Sequence, residues 1–101
     1  MGATGFPGYP APMIESILPP IVVLGRDTCA DTVRSLALLG RRGIPFTYLK
    51  VDEHPAADAW IRRLNDGKWR TPTIVIGDPD APGAILREPS DEELLAALGL
   101  A

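Results

Sequence analysis

The chain contains a single cysteine, Cys29, and a single histidine, His54. One cysteine cannot close an internal disulfide, and one cysteine with one histidine does not make a protein zinc site. No metal is expected. Positive charge is scarce as well: 10 Lys and Arg stand against 13 Asp and Glu, a formal net charge of −3. A nucleic-acid binder needs clustered basic residues for its phosphate contacts, so that class is excluded. The pairs Arg41-Arg42 and Arg62-Arg63 are diluted by nearby acids and read as solvated helix faces. Long apolar runs are also missing: none approaches the ~20 residues that cross a bilayer. The opening "MGATGFPGYPAPMIESILPP" lacks a basic start, and Gly and Pro interrupt its apolar residues, so it does not read as a signal peptide. These absences lead to the expectation of a cytoplasmic protein in a reducing compartment, with no membrane partner.

What is present fits one soluble domain. The chain has 101 residues, 46% hydrophobic and 23% charged, enough for a single core without a disulfide staple. Residues 1–20 form a Pro/Gly-rich leader. Pro7, Pro10, Pro12, Pro19 and Pro20 favour extended geometry. A mobile leader is expected, with a short turn at Met13–Leu18; a docking segment anchored by Phe6 and Tyr9 is the alternative. The domain proper is expected over residues 21–101.

From residue 21 the pattern is regular. "IVVLG" (21–25) is a continuous apolar run, as in a strand buried on both faces. Asp27 or Thr28 can cap a following helix that runs to about Arg42, with Val33, Leu36, Ala37, Leu39 and Gly40 on its apolar stripe and Gly43 as its stop. "PFTYLKVD" (45–52) alternates as a second strand. Pro55 suits the first turn of a second helix, about 55–66, that buries Ala57, Trp60, Ile61 and Leu64. "PTIVIG" (72–77) is a third strand. "DPDAPG" is a tight turn into an antiparallel fourth strand, "AILRE" (84–88). "PSDEELLAALGL" closes as a helix with Ser90 as cap and Glu93 completing a capping box. The order is β-α-β-α-β-β-α. Its first two strands should be parallel with a right-handed crossover, and the final hairpin makes the four-stranded sheet mixed.

That order, with a cysteine at the start of helix one and "TPT" opening strand three, resembles the glutaredoxin family of the thioredoxin superfamily, over about Ile21 to Leu100. Short bacterial glutaredoxins and mycoredoxins carry segments similar to "VDEHPAADAWIRRLNDG", "TPTIVIGD" and "LREPSDEEL". The resemblance implies an α/β thioredoxin-like fold. It also implies that Cys29 is the nucleophile of a Cys-x-x-Cys motif whose second cysteine is replaced by Thr32, giving a monothiol "CADT". The middle pair, Ala30 and Asp31, replaces the usual Pro-aromatic or Gly-Phe.

A thiol reacts as its thiolate: at pH 7 a free cysteine is only ~3% ionised, whereas one with its pKa lowered to about 6 is ~90% ionised. A helix N-terminus favours the thiolate. Arg26, three residues before Cys29, stands where glutaredoxins commonly carry a basic residue and is expected to help, and to hold a carboxylate of a thiol cofactor. Thr32 can donate a hydroxyl hydrogen bond to sulfur. Asp27 and Asp31 work against ionisation. The competing reading of Cys29 is a small buried apolar residue.

By the same resemblance Pro72 is cis and faces the cysteine, and the Thr71 backbone pairs with the cysteine part of a bound glutathione or mycothiol as a strand would. Lys68 or Arg70 takes a carboxylate, Trp69 covers the groove or packs, and Ser90 and Asp91 meet the far end of the small thiol. For Ser90 an ordinary cap is the equal alternative. His54 is expected at a cap or the surface. The function implied is a monothiol thiol-disulfide oxidoreductase. Its co-substrate is a low-molecular-weight thiol, its partner a disulfide-containing protein, and its state a monomer. The alternatives are a non-catalytic thioredoxin-fold binding module and, less favoured, an iron-sulfur cluster carrier.

Overall fold

The computed structural model describes residues 18–100. Apart from its last three residues, the Pro/Gly-rich leader lies outside them, and with it Phe6, Tyr9 and most of the turn expected at Met13–Leu18. The elements are β1 (Ile21–Gly25), α1 (Ala30–Arg41), β2 (Thr47–Lys50), α2 (Pro55–Leu64), β3 (Thr73–Asp78), β4 (Ala81–Arg87) and α3 (Asp91–Ala97). They form an α/β fold whose four-stranded mixed sheet has the order β2-β1-β3-β4. β1 runs parallel to β2, with Val22 opposite Thr47, and antiparallel to β3, with Leu24 opposite Thr73. β3 and β4 close as the expected hairpin. No helix among the described residues is long and apolar enough to cross a membrane.

Side chains alternate across a strand, so the two central strands feed two cores. Ile21, Val23, Ile74 and Ile76 join Leu38, Leu39, Ile44, Leu94 and Leu98 on one face. Leu24 and Val75 join Val51, Ala57 and Ile61 on the other. Both faces are covered, which is why these strands read as unbroken apolar runs. Each fully buried Leu, Ile or Val contributes about 1.5–3 kcal/mol relative to exposure.

Three expectations are corrected. The buried face of α1 is Thr32, Ser35, Leu38 and Leu39; Val33 is 51% exposed, and Ala37 and Gly40 also face outward. Small hydroxyl residues fill the first turns of that face, and they leave no apolar signature in the sequence. Nor do Asp27 or Thr28 cap the helix. Cys29 is itself the N-cap, with extended φ/ψ and no side-chain capping bond. The fourth strand begins at Ala81, not Ala84, so part of the expected turn is strand. The turn is made compact by Asp78, whose carboxylate accepts from the Asp80 N–H at 2.9 Å. A register shift follows between Ile76 and Gly77, where Gly77 has φ 103°. Pro82 is tolerated because β4 is an edge strand.

The other helix ends follow their sequence signals. Gly43 lies just past α1 with φ 65°, and Pro55 opens α2 after His54. Ser90 Oγ accepts from the Glu93 N–H while the Glu93 carboxylate accepts from the Ser90 N–H, completing the capping box of α3.

Candidate functional site

Cys29 sits where β1 hands over to α1. Its carbonyl accepts from the Val33 N–H at 3.0 Å, and its own N–H donates to the Arg26 carbonyl at 3.2 Å. The sulfur therefore stands at the first turn of the helix, half-buried. Across from it is the loop leading into β3. The Cys29 thiol donates to the Thr71 carbonyl at 3.3 Å, and the Thr71–Pro72 peptide is cis. Pro72 is fully buried, and its carbonyl accepts from the Glu88 N–H at 2.8 Å, which ties this loop to the end of β4.

Burial pushes the Cys29 thiol up, but hydrogen bonds oppose it. They come from the Thr71 side chain, from the Thr32 backbone and side chain, and from the Asp31 backbone, and the balance lies below the ordinary cysteine value. Thr32 is the notable member of this set. It is fully buried, and its hydroxyl has no partner of good hydrogen-bond geometry. An orphaned buried hydroxyl costs about 1–3 kcal/mol. A thiolate at Cys29 is the acceptor close enough to relieve it. The contact to the Thr71 carbonyl works the other way, since a carbonyl accepts only from the protonated thiol; ionisation releases it and frees the sulfur.

The two carboxylates that flank Cys29 in sequence are both engaged elsewhere. Asp27 pairs with Lys50 Nζ at 2.9 Å and accepts from the Tyr48 hydroxyl at 2.8 Å. The Lys50 and Tyr48 hydrogen bonds hold its carboxyl below the usual range. Burial and the Asp27 carboxylate together push the Tyr48 phenol far above its ordinary value. Asp31 pairs with Arg34 at 2.8 Å. Each unit negative charge thus meets a cation before it reaches the sulfur, which weakens the opposition that the sequence suggests.

The remaining expected site residues fall around this centre. Arg26 leaves β1 beside the cysteine, with its guanidinium carbon 5.5 Å from the centre of the Trp69 ring. Arg70 precedes Thr71 and pairs with Glu88 at 2.9 Å; Lys68 is exposed. Ser90 Oγ is committed to the capping box. Asp91 lies 3.7 Å from Arg34, whose other end donates to the Pro89 carbonyl at 2.9 Å. Arg34 thereby joins the start of α1 to the start of α3.

Sequence reasoning missed three members of the surroundings. Asn65 is buried, donates to the Ile61 carbonyl and Thr73 Oγ1, and accepts from Arg87 Nε at 2.9 Å. Asp58 accepts from the Trp69 indole N–H at 2.7 Å. Gly25 lies directly against Thr32. The signals were faint: an Asn following a helix reads as an ordinary stop, and a glycine ending a strand reads as a turn.

The comparisons with known proteins agree with this geometry. A family model described as glutaredoxin matches residues 21–79, more than half of the chain. No protein with a curated description matches the chain. Among solved structures, a variant of a thioredoxin-like protein aligns with TM-score 0.68 and 22% identity, over 80% of this chain and 96% of that one. A glutaredoxin from Archaeoglobus fulgidus aligns with TM-score 0.61 and 20% identity, over 89% and 96%. A glutaredoxin from Brucella melitensis aligns with TM-score 0.56 and 21% identity, over 79% and 78%. The chain therefore belongs to the glutaredoxin family.

Proposed function

We propose that this chain is a monothiol thiol-disulfide oxidoreductase that resolves mixed disulfides between a protein and a low-molecular-weight thiol, glutathione or mycothiol. The observation that carries the reading is the Cys29 environment. One thiol sits at a helix start with its pKa lowered, an unpartnered Thr32 hydroxyl lies beside it, and the Thr71–Pro72 loop lies opposite.

In the first step the Cys29 thiolate attacks the small-thiol sulfur of the mixed disulfide. A Cys29–small-thiol disulfide forms, the old S–S bond breaks, and the protein substrate leaves as a thiolate that takes a proton from water. In the second step another small-thiol thiolate attacks that adduct. Its sulfur bonds to the bound small thiol, the bond to Cys29 breaks, and the Cys29 thiolate returns. The net change is one protein thiol restored and two small thiols joined as their disulfide. No second protein cysteine takes part.

In this reading Arg26 and Arg70 recognise acidic or accepting groups of the small thiol, although Arg70 must share its guanidinium with Glu88. The Thr71 backbone aligns the cysteine part, next to Pro72. Asp91 meets the far end through its backbone N–H, and Ser90 supports that helix start as its cap, since the Ser90 hydroxyl and N–H are both already spent on Glu93. The reading predicts complete loss of turnover on a protein–glutathione or protein–mycothiol mixed disulfide in Cys29→Ser; residual turnover in that variant removes Cys29 as the nucleophile.

A further inference from the structure

Trp69 has no part in the chemistry above, yet it is held with unusual care. Its indole N–H donates to Asp58 Oδ1 at 2.7 Å. The same carboxylate oxygen accepts from Arg62 Nε at 2.8 Å. Arg62 also lies over the indole, 5.3 Å from its centre, and donates to the Gly67 carbonyl at 2.9 Å. Beneath, the ring packs on the cluster of Leu24, Val51, Ala57, Ile61 and Val75. Trp69 is thus fixed by a hydrogen bond, a stacked cation and a core.

The side chain that this shelf carries is Arg26. Of the other basic groups near Cys29, Arg34 is bound to Asp31, Lys50 to Asp27 and Arg70 to Glu88, while Lys68 is exposed and carries no ion pair among the described residues. Arg26 makes no ion pair among the described residues, and its buried Nε has no hydrogen-bond partner. A cation held by an aromatic face keeps its N–H donors, because the attraction is to the ring quadrupole and consumes no donor. A cation held by a carboxylate does not.

We propose that Trp69, locked by Asp58, is a positioning residue that holds Arg26 beside Cys29 without neutralising it. The guanidinium is thereby kept for an anionic group on the incoming small-molecule disulfide. This rests on the oxidoreductase reading and on Arg26 as its anion-binding group; what it adds is the part of Trp69 and Asp58 in keeping that group available.

The test compares rates of mixed-disulfide formation at Cys29, followed by mass spectrometry. Two probes are used, oxidised glutathione, which is anionic, and 2-hydroxyethyl disulfide, which is neutral. Arg26→Gln and Trp69→Ala are each expected to lower the ratio of the oxidised-glutathione rate to the neutral-probe rate about five- to tenfold, a ratio that cancels any change in the thiolate fraction of Cys29. The double variant is expected to be no slower than Arg26→Gln alone, because Trp69 acts through Arg26. Trp69→Phe keeps an aromatic face and should lie between, and it repeats the cycle should Trp69→Ala fail to fold. Effects that multiply in the double variant, or an equal slowing with the neutral probe, overturn the proposal. If the wild-type protein forms no adduct with either probe, the oxidoreductase reading falls and this one with it.

Discussion

Thr32 rests against Gly25: a Cβ at Gly25 would stand 2.6 Å from Thr32 Cγ2 and 2.7 Å from Thr32 Oγ1. No real contact is that short, so either the helix start or the hydroxyl must move if a side chain is added. The Thr32 hydroxyl is one of the groups that steady a Cys29 thiolate, together with the Thr71 side chain and the Thr32 and Asp31 backbone. Gly25→Ala is therefore expected to lose about 1–3 kcal/mol of stability through overpacking and to raise the apparent pKa of Cys29. Chemical denaturation and alkylation rate against pH check both halves.

Thr32→Val separates the two effects. It removes a buried hydroxyl with no well-formed partner, so stability is expected to hold or to rise by about 1 kcal/mol. At the same time the thiolate loses a donor, and the apparent pKa of Cys29 rises. A variant that is more stable yet less reactive would be the signature of a hydroxyl kept for chemistry; lower stability with unchanged reactivity would show a packing role.

The pH dependence follows from the direction of the Cys29 shift. Its folded value lies below that of an unfolded cysteine, so the native state binds the thiol proton more weakly. The resulting stabilisation is fully present above the unfolded value, about 8.5, and is lost as pH falls through the lower folded value. Alkylation should accordingly reach half its maximal rate at a lower pH in the native protein than in urea.

Arg34 holds Asp31 at 2.8 Å and the Pro89 carbonyl at 2.9 Å. The ion pair is solvent-exposed, so Arg34→Ala should cost less than about 1 kcal/mol in stability. Its more telling effect is electrostatic: Asp31 is freed, and the pKa of Cys29 is expected to rise. Adding Asp31→Asn should restore the original alkylation profile.

Asn65 joins α2, β3 and β4 through three side-chain hydrogen bonds. Replacing it with Ala leaves the Ile61 carbonyl and Arg87 without those partners. A loss of about 2–3 kcal/mol is expected from a denaturant midpoint.

The sheet was legible because its signals are physical and local. Ile21 to Leu24 and Ile74 to Ile76 are apolar without a break, as two-sided burial requires. Pro55 and the Ser90–Glu93 box mark helix starts by their hydrogen-bonding limits. Cys29 and Pro72 stood out by type and place. The buried face of α1 was not legible, since Thr32 and Ser35 are polar by composition and are buried only because the thiol site and Gly25 leave room for small side chains there. The engagement of Asp27 by Lys50 and Tyr48 was equally hidden, because it depends on the register that sets Lys50 opposite Gly25. Sequence neighbours set the chemistry at hand, but the partners that decide which charge reaches the sulfur come from other strands and helices.

The central claim is that Cys29 exchanges with a small thiol from solution. The direct measurement is intact-protein mass spectrometry after exposure to oxidised glutathione and, separately, oxidised mycothiol, followed by addition of the matching reduced thiol. The account predicts one adduct per chain, located on Cys29, formed faster than on the urea-unfolded protein and removed by the second thiol. A native protein that forms no adduct, or forms one no faster than the unfolded chain, would contradict it.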